Sequence, residues 1–516
     1  MKSKLKNGVI LGGLITTAGL FIAKLIGLAY TIPFSYILES EAYMGMYGGA
    51  YRIYSYLLQV FTAGFPFAIA TVTAKYATGN HWGKVKAVQS ISTKILTILG
   101  LVGMILMWIL TPFLAPHMTT PEHVPAMVVV LCILGLALFI VPVISSYRGY
   151  LEGLKRFEVY SKSQVLEQVY RVGFLLGMAF LIVYIFEIDR LWALYASVAS
   201  TSVAGIATYL YLKKFVVEIN ATLPVQNKWN KELTREIIAL AIPYMIVAVL
   251  GYFDDIISTT IVPDCLMRFG QYTNAEVETI TSAMNYAGTK LMAIPLILAP
   301  GFTASLIPHI TECLTKKDYE SVRRNITQTI ITVVMIAMPV CLFIVLFARP
   351  IYSLLFYTDN LSLSTFVVQL LLIEGFFATL SPVMTNLVMV CQMRKTALWS
   401  QTFIAVFRIV ATYITMAFMG ISGAIITSII SHIFLIGFYL YKLRKTYKIR
   451  VGKICIGFIY AGIICIVGWF ATSIIPINMA GKMNILLSMC IIGIIYVAVV
   501  GLCVYLTRKR VLKICR

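Results

Sequence analysis

The chain has 516 residues, 60% of them hydrophobic and 12% charged, with a mean hydropathy of +0.88. Soluble domains carry roughly 25% charged residues, so a water-soluble globular protein is excluded. The 42 Lys and Arg against 21 Asp and Glu leave a net charge of +21, and its distribution along the chain decides what that charge is for.

Apolar stretches long enough to span a bilayer, about 20 residues, recur to the end of the chain. Fourteen are expected, at about 8–34, 47–76, 91–115, 125–150, 163–186, 190–212, 236–262, 278–312, 327–348, 362–390, 397–419, 422–441, 454–474 and 485–506. The first begins like a signal peptide, "MKSKLKNGVILGG", but continues apolar to Phe34 without a small-residue cleavage site, which predicts a retained first helix. The expected fold class is an all-α polytopic membrane protein.

The loops test that count. With a cytoplasmic N-terminus, 32 of the 42 Lys and Arg lie on the inner side, including Lys2, Lys84, Arg156, Lys214, Arg323, Lys395, Lys445 and Arg510. Only Arg190, Arg268, Arg349 and Lys482 lie on the outer side. This asymmetry predicts both termini inside and an even number of helices. A basic face beside anionic lipid also accounts for the net charge without nucleic acid as a partner.

Six cations remain within the helices: Lys24, Arg52, Arg148, Arg171, Lys290 and Arg408. By the helical rise of about 1.5 Å per residue, Lys24 lies somewhat beyond mid-membrane, Lys290 at a comparable depth in helix eight, and Arg52 shallower in helix two. Intramembrane charges of one sign that face a cavity mark the path of a substrate of opposite sign, so Lys24, Arg52 and Lys290 are candidate contacts for an anion. Arg52 has a second reading, as a side chain snorkelling to the headgroups. Glu167 with Arg171, and Arg148 with Glu152, are spaced to couple within a helix as gates or structural pairs. Arg408 and Glu374 are a further candidate pair at mid-depth.

Helix two carries "TAGFPFAIATVTAKYATG" and helix eight "AIPLILAPGFTASLIPHITECLTKKD", so hinges are expected at Gly64, Pro66, Pro295, Pro300 and Gly301. Interrupted helices at corresponding places in two halves point to a transporter site. Two pseudo-symmetric six-helix lobes follow, 1–215 and 216–450, with 451–516 holding two C-terminal helices and a basic tail. No phosphate-cradling, zinc-protease or nucleophile-elbow motif occurs, so no enzyme is expected. The ten cysteines form no CxxC pair, and His81, His117, His123, His309 and His432 are dispersed, which predicts no metal site and no cofactor. Coupling then falls to Na+, H+ or the membrane potential. Asp254 and Asp255 of "GYFDDIIST", with Glu374, are the ion-coupling candidates.

Five stretches then carry a resemblance: "GLFIAKLIGLAYTIPFSYIL", "MYGGAYRIYSYLLQVFTAGFPFAIATVTAKY", "YRGYLEGLKRFEVYSKSQVLEQVYRVG", "ALAIPYMIVAVLGYFDDIISTTIVPDCL" and "NYAGTKLMAIPLILAPGFTASLIPHITE". In this order, across about residues 5 to 450, they resemble the polysaccharide-transport branch of the MOP (multidrug, oligosaccharidyl-lipid, polysaccharide) flippase superfamily. Within it the chain is similar to the YtgP and SpoVB group of Gram-positive bacteria, related to MurJ-type lipid II flippases. The resemblance implies that Lys24 in "AKLIG" and Lys290 in "YAGTKLM" contact a lipid-linked pyrophosphate. Other family charges have no match: their positions fall on Tyr30, Gly45 and Leu58. The helix-seven acid of the family's sodium site corresponds to Asp254 or Asp255, while its helix-eleven partners have no counterpart in "SQTFIAVFRIVATYITM". Hard cations take several oxygen ligands, and one carboxylate is not a cage.

The resemblance implies a multi-pass protein of a bacterial cytoplasmic membrane, expected to be a monomer, which flips a polyprenyl-diphosphate-linked saccharide by alternating access. Lipid II is the first expectation, with membrane lipids and cell-wall synthesis proteins as neighbours. A capsule or teichoic-acid precursor and a cation-coupled multidrug exporter are the alternatives.

Overall fold

The computed structural model describes residues 22–223, 231–296, 310, 313–314, 316–477, 479 and 481–515. Among these residues the secondary structure is helical, with no strand. Twelve helices are long and apolar enough to cross a membrane. They are α2 (Glu41–Thr78), α3 (Trp82–His117), α4 (Pro121–Gly153), α5 (Phe157–Ile185), α6 (Arg190–Ala221), α7 (Lys231–Arg268), α9 (Tyr319–Leu346), α10 (Leu361–Val390), α11 (Arg394–Met419), α12 (Ile421–Tyr447), α13 (Val451–Ser473) and α14 (Lys482–Thr507). Each overlays one expected span. The other two expected spans, 8–34 and 278–312, run partly over residues outside the described set; their described parts are α1 (Ile22–Leu38) and α8 (274–296).

Packing divides the chain into two compact units, Met1–Asp264 and Cys265–Arg516. The helix that the repeat assigns to the second lobe, α7, therefore packs mostly within the first unit. Lobes defined by repeat and units defined by contact are different divisions, and helix seven is where they part.

In the first unit the core runs through Phe65, Ile69 and Val72 of α2, Val88 and Ile91 of α3, Tyr150 and Leu151 of α4, Leu212 of α6 and Ile237 and Ala241 of α7. Lipid is as apolar as leucine, so close backbone approach through small residues holds such helices together. Gly149 and Gly153, one turn apart on α4, lie against α2 so tightly that a Cβ would meet the carbonyl oxygens of Pro66 and Ala70 at 2.8 and 2.6 Å. Helix α2 is itself interrupted: Glu41–Thr62 ends, Gly64 takes φ +83°, and Phe65–Thr78 restarts with Pro66 in its first turn. Proline suits that position because the first-turn N–H has no helical partner.

In the second unit α9, α10, α12 and α13 share a core that includes Ile326, Ile330, Leu380, Val383, Leu387, Leu435, Tyr439, Ile454 and Ile464. Helix α14 packs beside α13 and α9, where the buried Tyr496 hydroxyl donates to the Pro339 carbonyl at 2.8 Å. The last two helices are thus built into this unit.

Candidate functional site

Helix α1 brings Lys24 to an exposed position beside the buried Ala23. Among the described residues no carboxylate forms an ion pair with it. Toward the other end of α1, Tyr30 and Phe34 meet α2: the Tyr30 and Tyr47 hydroxyls lie 3.1 Å apart, and the Phe34 ring stands edge-on to Tyr47 at 5.0 Å. Tyr47 packs on Tyr51, whose hydroxyl is hydrogen-bonded to Thr201 of α6. Arg171 of α5 lies among these phenols and donates to Gln168 at 2.7 Å.

Arg52 does not stand apart from the acids. Its Nε donates to Asp255 Oδ1 at 2.8 Å, with the two side chains 17% and 22% exposed. The sequence suggested no arginine beside Asp255 because the partner lies 203 positions away. Asp255 is carried on a short stretch of α7, Phe253–Ile256, after a break at Tyr252 and before a π turn at Ile257–Ile261. π turns interrupt the regular ladder and are common at functional sites. Another π turn, Ala283–Gly288 in α8, immediately precedes the half-buried Lys290 of the second unit.

The expected couples within a helix are not the ones that form. Arg148 reaches from α4 to α5, where its Nη2 donates to Glu167 Oε2 at 2.7 Å and to the Ser163 carbonyl at 3.1 Å, while Nε donates to Ser163 Oγ at 3.0 Å. Glu152 takes no part in an ion pair among the described residues. The Arg148 guanidinium, only 12% exposed, gains more from a carboxylate and two further acceptors than from a single acid on its own helix.

In the second unit Glu374 of α10 is buried and accepts from Ser428 of α12. His432, one turn further along α12, has Nε2 3.9 Å from the same carboxylate, and its Nδ1 lies 2.9 Å from Ser381 Oγ. His432 was not singled out in the sequence; the signal available was the i,i+4 spacing of Ser428 and His432 on an apolar helix. Among the hinge candidates, Gly64 and Pro66 lie at the break in α2, Pro295 lies in the last described turns of α8, and Pro300 and Gly301 lie outside the described residues. Among the described residues no three His, Cys, Asp or Glu side chains come together to hold a metal ion.

A family model described as "Polysaccharide biosynthesis protein" matches residues 9–314, more than half of the chain. The chain belongs to this family. As a member of the polysaccharide biosynthesis protein family it is a multi-pass membrane protein. It is 27% identical over 382 residues to "Lipid II flippase MurJ" of Bacillus subtilis (strain 168), covering 70% of this chain and 68% of that one. From the same organism, "Stage V sporulation protein B" is 22% identical over 325 residues, covering 63% and 62%. Among solved structures, "Lipid II flippase MurJ, inward closed conformation" matches with a TM-score of 0.70 at 13% identity over 97% of this chain and 100% of that one. An inward-facing MATE family transporter of the MOP superfamily matches with a TM-score of 0.67 at 17% identity, covering 82% and 96%. At these identities the structural matches establish the fold, which is that of the MurJ and MATE transporters.

Proposed function

We propose that this protein is a flippase that moves a polyprenyl-diphosphate-linked saccharide across the membrane by alternating access, with lipid II the favoured substrate. The observation that carries the reading is Lys24, an exposed cation on an apolar helix with no carboxylate paired to it among the described residues. A charge at the bilayer centre costs about 2.5 to 3.5 kcal/mol on insertion scales, so its retention calls for an anionic ligand. The similarity to the MurJ of B. subtilis supports a lipid-linked diphosphate as that ligand.

The saccharide headgroup of such a lipid cannot cross hydrocarbon unaided, because its polar groups would lose their hydrogen-bond partners. Lys24 and Lys290 would each attract the diphosphate where the dielectric is low, and the break in α2 would supply a hinge for the alternation of access. No covalent chemistry is called for, and the energy would come from an ion gradient or the membrane potential. Basic residues on one face favour loading from the leaflet where these lipids are made.

The lysines recognise a diphosphate and not a sugar. A capsule or teichoic-acid precursor, which carries the same diphosphate, is therefore the second reading. A cavity for cationic drugs would present acids in place of lysines.

Flipping of fluorescent lipid II in proteoliposomes tests the reading. Wild type is expected to translocate it, and Lys24→Glu with Lys290→Glu is expected to abolish translocation while leaving folded protein in the membrane. Undiminished flipping by the double variant would sink the role given to the two lysines, and flipping of a teichoic-acid precursor in place of lipid II would select the second reading.

A further inference from the structure

Within the first unit, α2 and α7 are joined at three levels. At one end Arg52 donates to Asp255 at 2.8 Å. In the middle Gly64 lies against the Ala241 carbonyl and the Phe67 ring packs on Tyr244, centroids 5.0 Å apart. At the other end Glu236 accepts from Lys75 at 2.5 Å and from the Tyr76 hydroxyl at 2.9 Å. The middle level carries no ion pair and leaves no room for a side chain at Gly64, whereas both ends are ionic.

The two ends differ in what opening them would cost. Lys75 is 59% exposed, and exposed ion pairs contribute little. Arg52 lies within the membrane-spanning part of α2 and is largely withdrawn from solvent, so it needs an anion in every state. Its present anion is carried on a stretch of α7 that is regular helix for only four residues, between the break at Tyr252 and the π turn at Ile257. Such a stretch can move without unwinding the whole helix. A guanidinium also matches phosphate oxygens as well as it matches a carboxylate, in the same planar geometry.

We propose that Asp255 is a displaceable counter-anion for Arg52. It holds the guanidinium while the site is empty, and the diphosphate of the entering lipid takes Arg52 over and releases the segment after Gly251 from α2. This rests on the reading that a polyprenyl diphosphate is the transported group. The Gly64–Ala241 contact then stays closed and becomes the pivot about which that end of α7 opens. Asp255 is thus a positioning residue that competes with substrate, and the price of displacing it sets the affinity for the diphosphate.

Binding of undecaprenyl diphosphate, inorganic pyrophosphate and undecaprenol to the full chain in nanodiscs tests this, for wild type, Asp255→Asn, Arg52→Gln and the double variant. Asp255→Asn is expected to bind undecaprenyl diphosphate about 5-fold or more tightly than wild type, the lower end of ordinary coupling between sites. Arg52→Gln is expected to bind it more weakly, the double variant no more tightly than Arg52→Gln, and undecaprenol equally to all. A parallel gain for pyrophosphate supports the displacement and assigns it to the headgroup; a gain confined to the lipid supports it with the tail required. Unchanged or weaker binding by Asp255→Asn, or a gain that persists without Arg52, overturns the proposal.

A second measurement needs no variant. In wild type, undecaprenyl diphosphate is expected to speed amide hydrogen exchange across residues 251–261, where ordinary ligand binding would slow it. Slowed or unchanged exchange overturns the displacement. Failure of every form of the chain to bind any polyprenyl diphosphate overturns the proposed function as well, whereas binding by wild type with no gain in Asp255→Asn overturns the displacement only.

Discussion

Gly64 of α2 lies so close to Ala241 of α7 that a Cβ at position 64 would be 2.6 Å from the Ala241 carbonyl oxygen. The same residue has φ +83°, a conformation that costs L-residues about 1 to 2 kcal/mol. With overpacking added, Gly64→Ala is expected to lose about 2 to 4 kcal/mol. Thermal unfolding in detergent would show a lowered midpoint. Gly251→Ala is the control, since nothing lies within 4 Å of a Cβ there, and its midpoint should stay near that of wild type.

The Arg148–Glu167 pair makes a prediction that separates it from a couple along one helix. A double-mutant cycle with Arg148→Gln and Glu167→Gln is expected to give a coupling of about 1 to 3 kcal/mol. Glu152→Gln, at the position four residues from Arg148, is expected to change stability by less than about 0.5 kcal/mol. Coupling of Arg148 to Glu152 in place of Glu167 would contradict the observed geometry.

The start of α8 is a capping box. Thr273 Oγ1 accepts from the Glu276 N–H, and the Glu276 carboxylate accepts from the Thr273 N–H and hydroxyl. Those hydrogen bonds, the backbone one first, hold the Glu276 carboxyl below the usual carboxylate range. A carboxyl lowered on folding contributes stability above its ordinary pKa of about 4.3, and that contribution is lost as pH falls through the lowered value. Glu276→Gln should therefore cost stability at pH 7 and cost nothing in acid. Thr273→Ala should cost about 1 kcal/mol at either pH, because the hydroxyl cap does not titrate in this range. Melting curves at two pH values check both.

Tyr496 ties α14 to α9 through the Pro339 carbonyl. Tyr496→Phe removes the donor from a buried acceptor and is expected to cost about 1 kcal/mol. Ligand-free melting of the full chain in detergent measures it. An unchanged midpoint would mean that the hydrogen bond contributes nothing to holding the last helices on the second unit.

Composition and hydropathy were enough to establish the membrane class and to locate the twelve described spans, because burial in lipid demands long apolar helices whatever their neighbours. The sequence also picked out the cations within the helices, since a lysine or arginine stands out against an apolar run. It did not identify their partners. Arg52 with Asp255, Lys75 with Glu236 and Arg148 with Glu167 lie 203, 161 and 19 positions apart. A spanning helix is apolar nearly all round, so its pattern does not say which face turns to which neighbour. The rotation of each helix is set by small residues that admit a close approach, such as Gly64, Gly149 and Gly153, and only the packed structure shows what each one meets. The sequence by itself thus determined where charge enters the membrane, and the tertiary structure decided which of those charges are already neutralised, because pairing across helices depends on depth and rotation together.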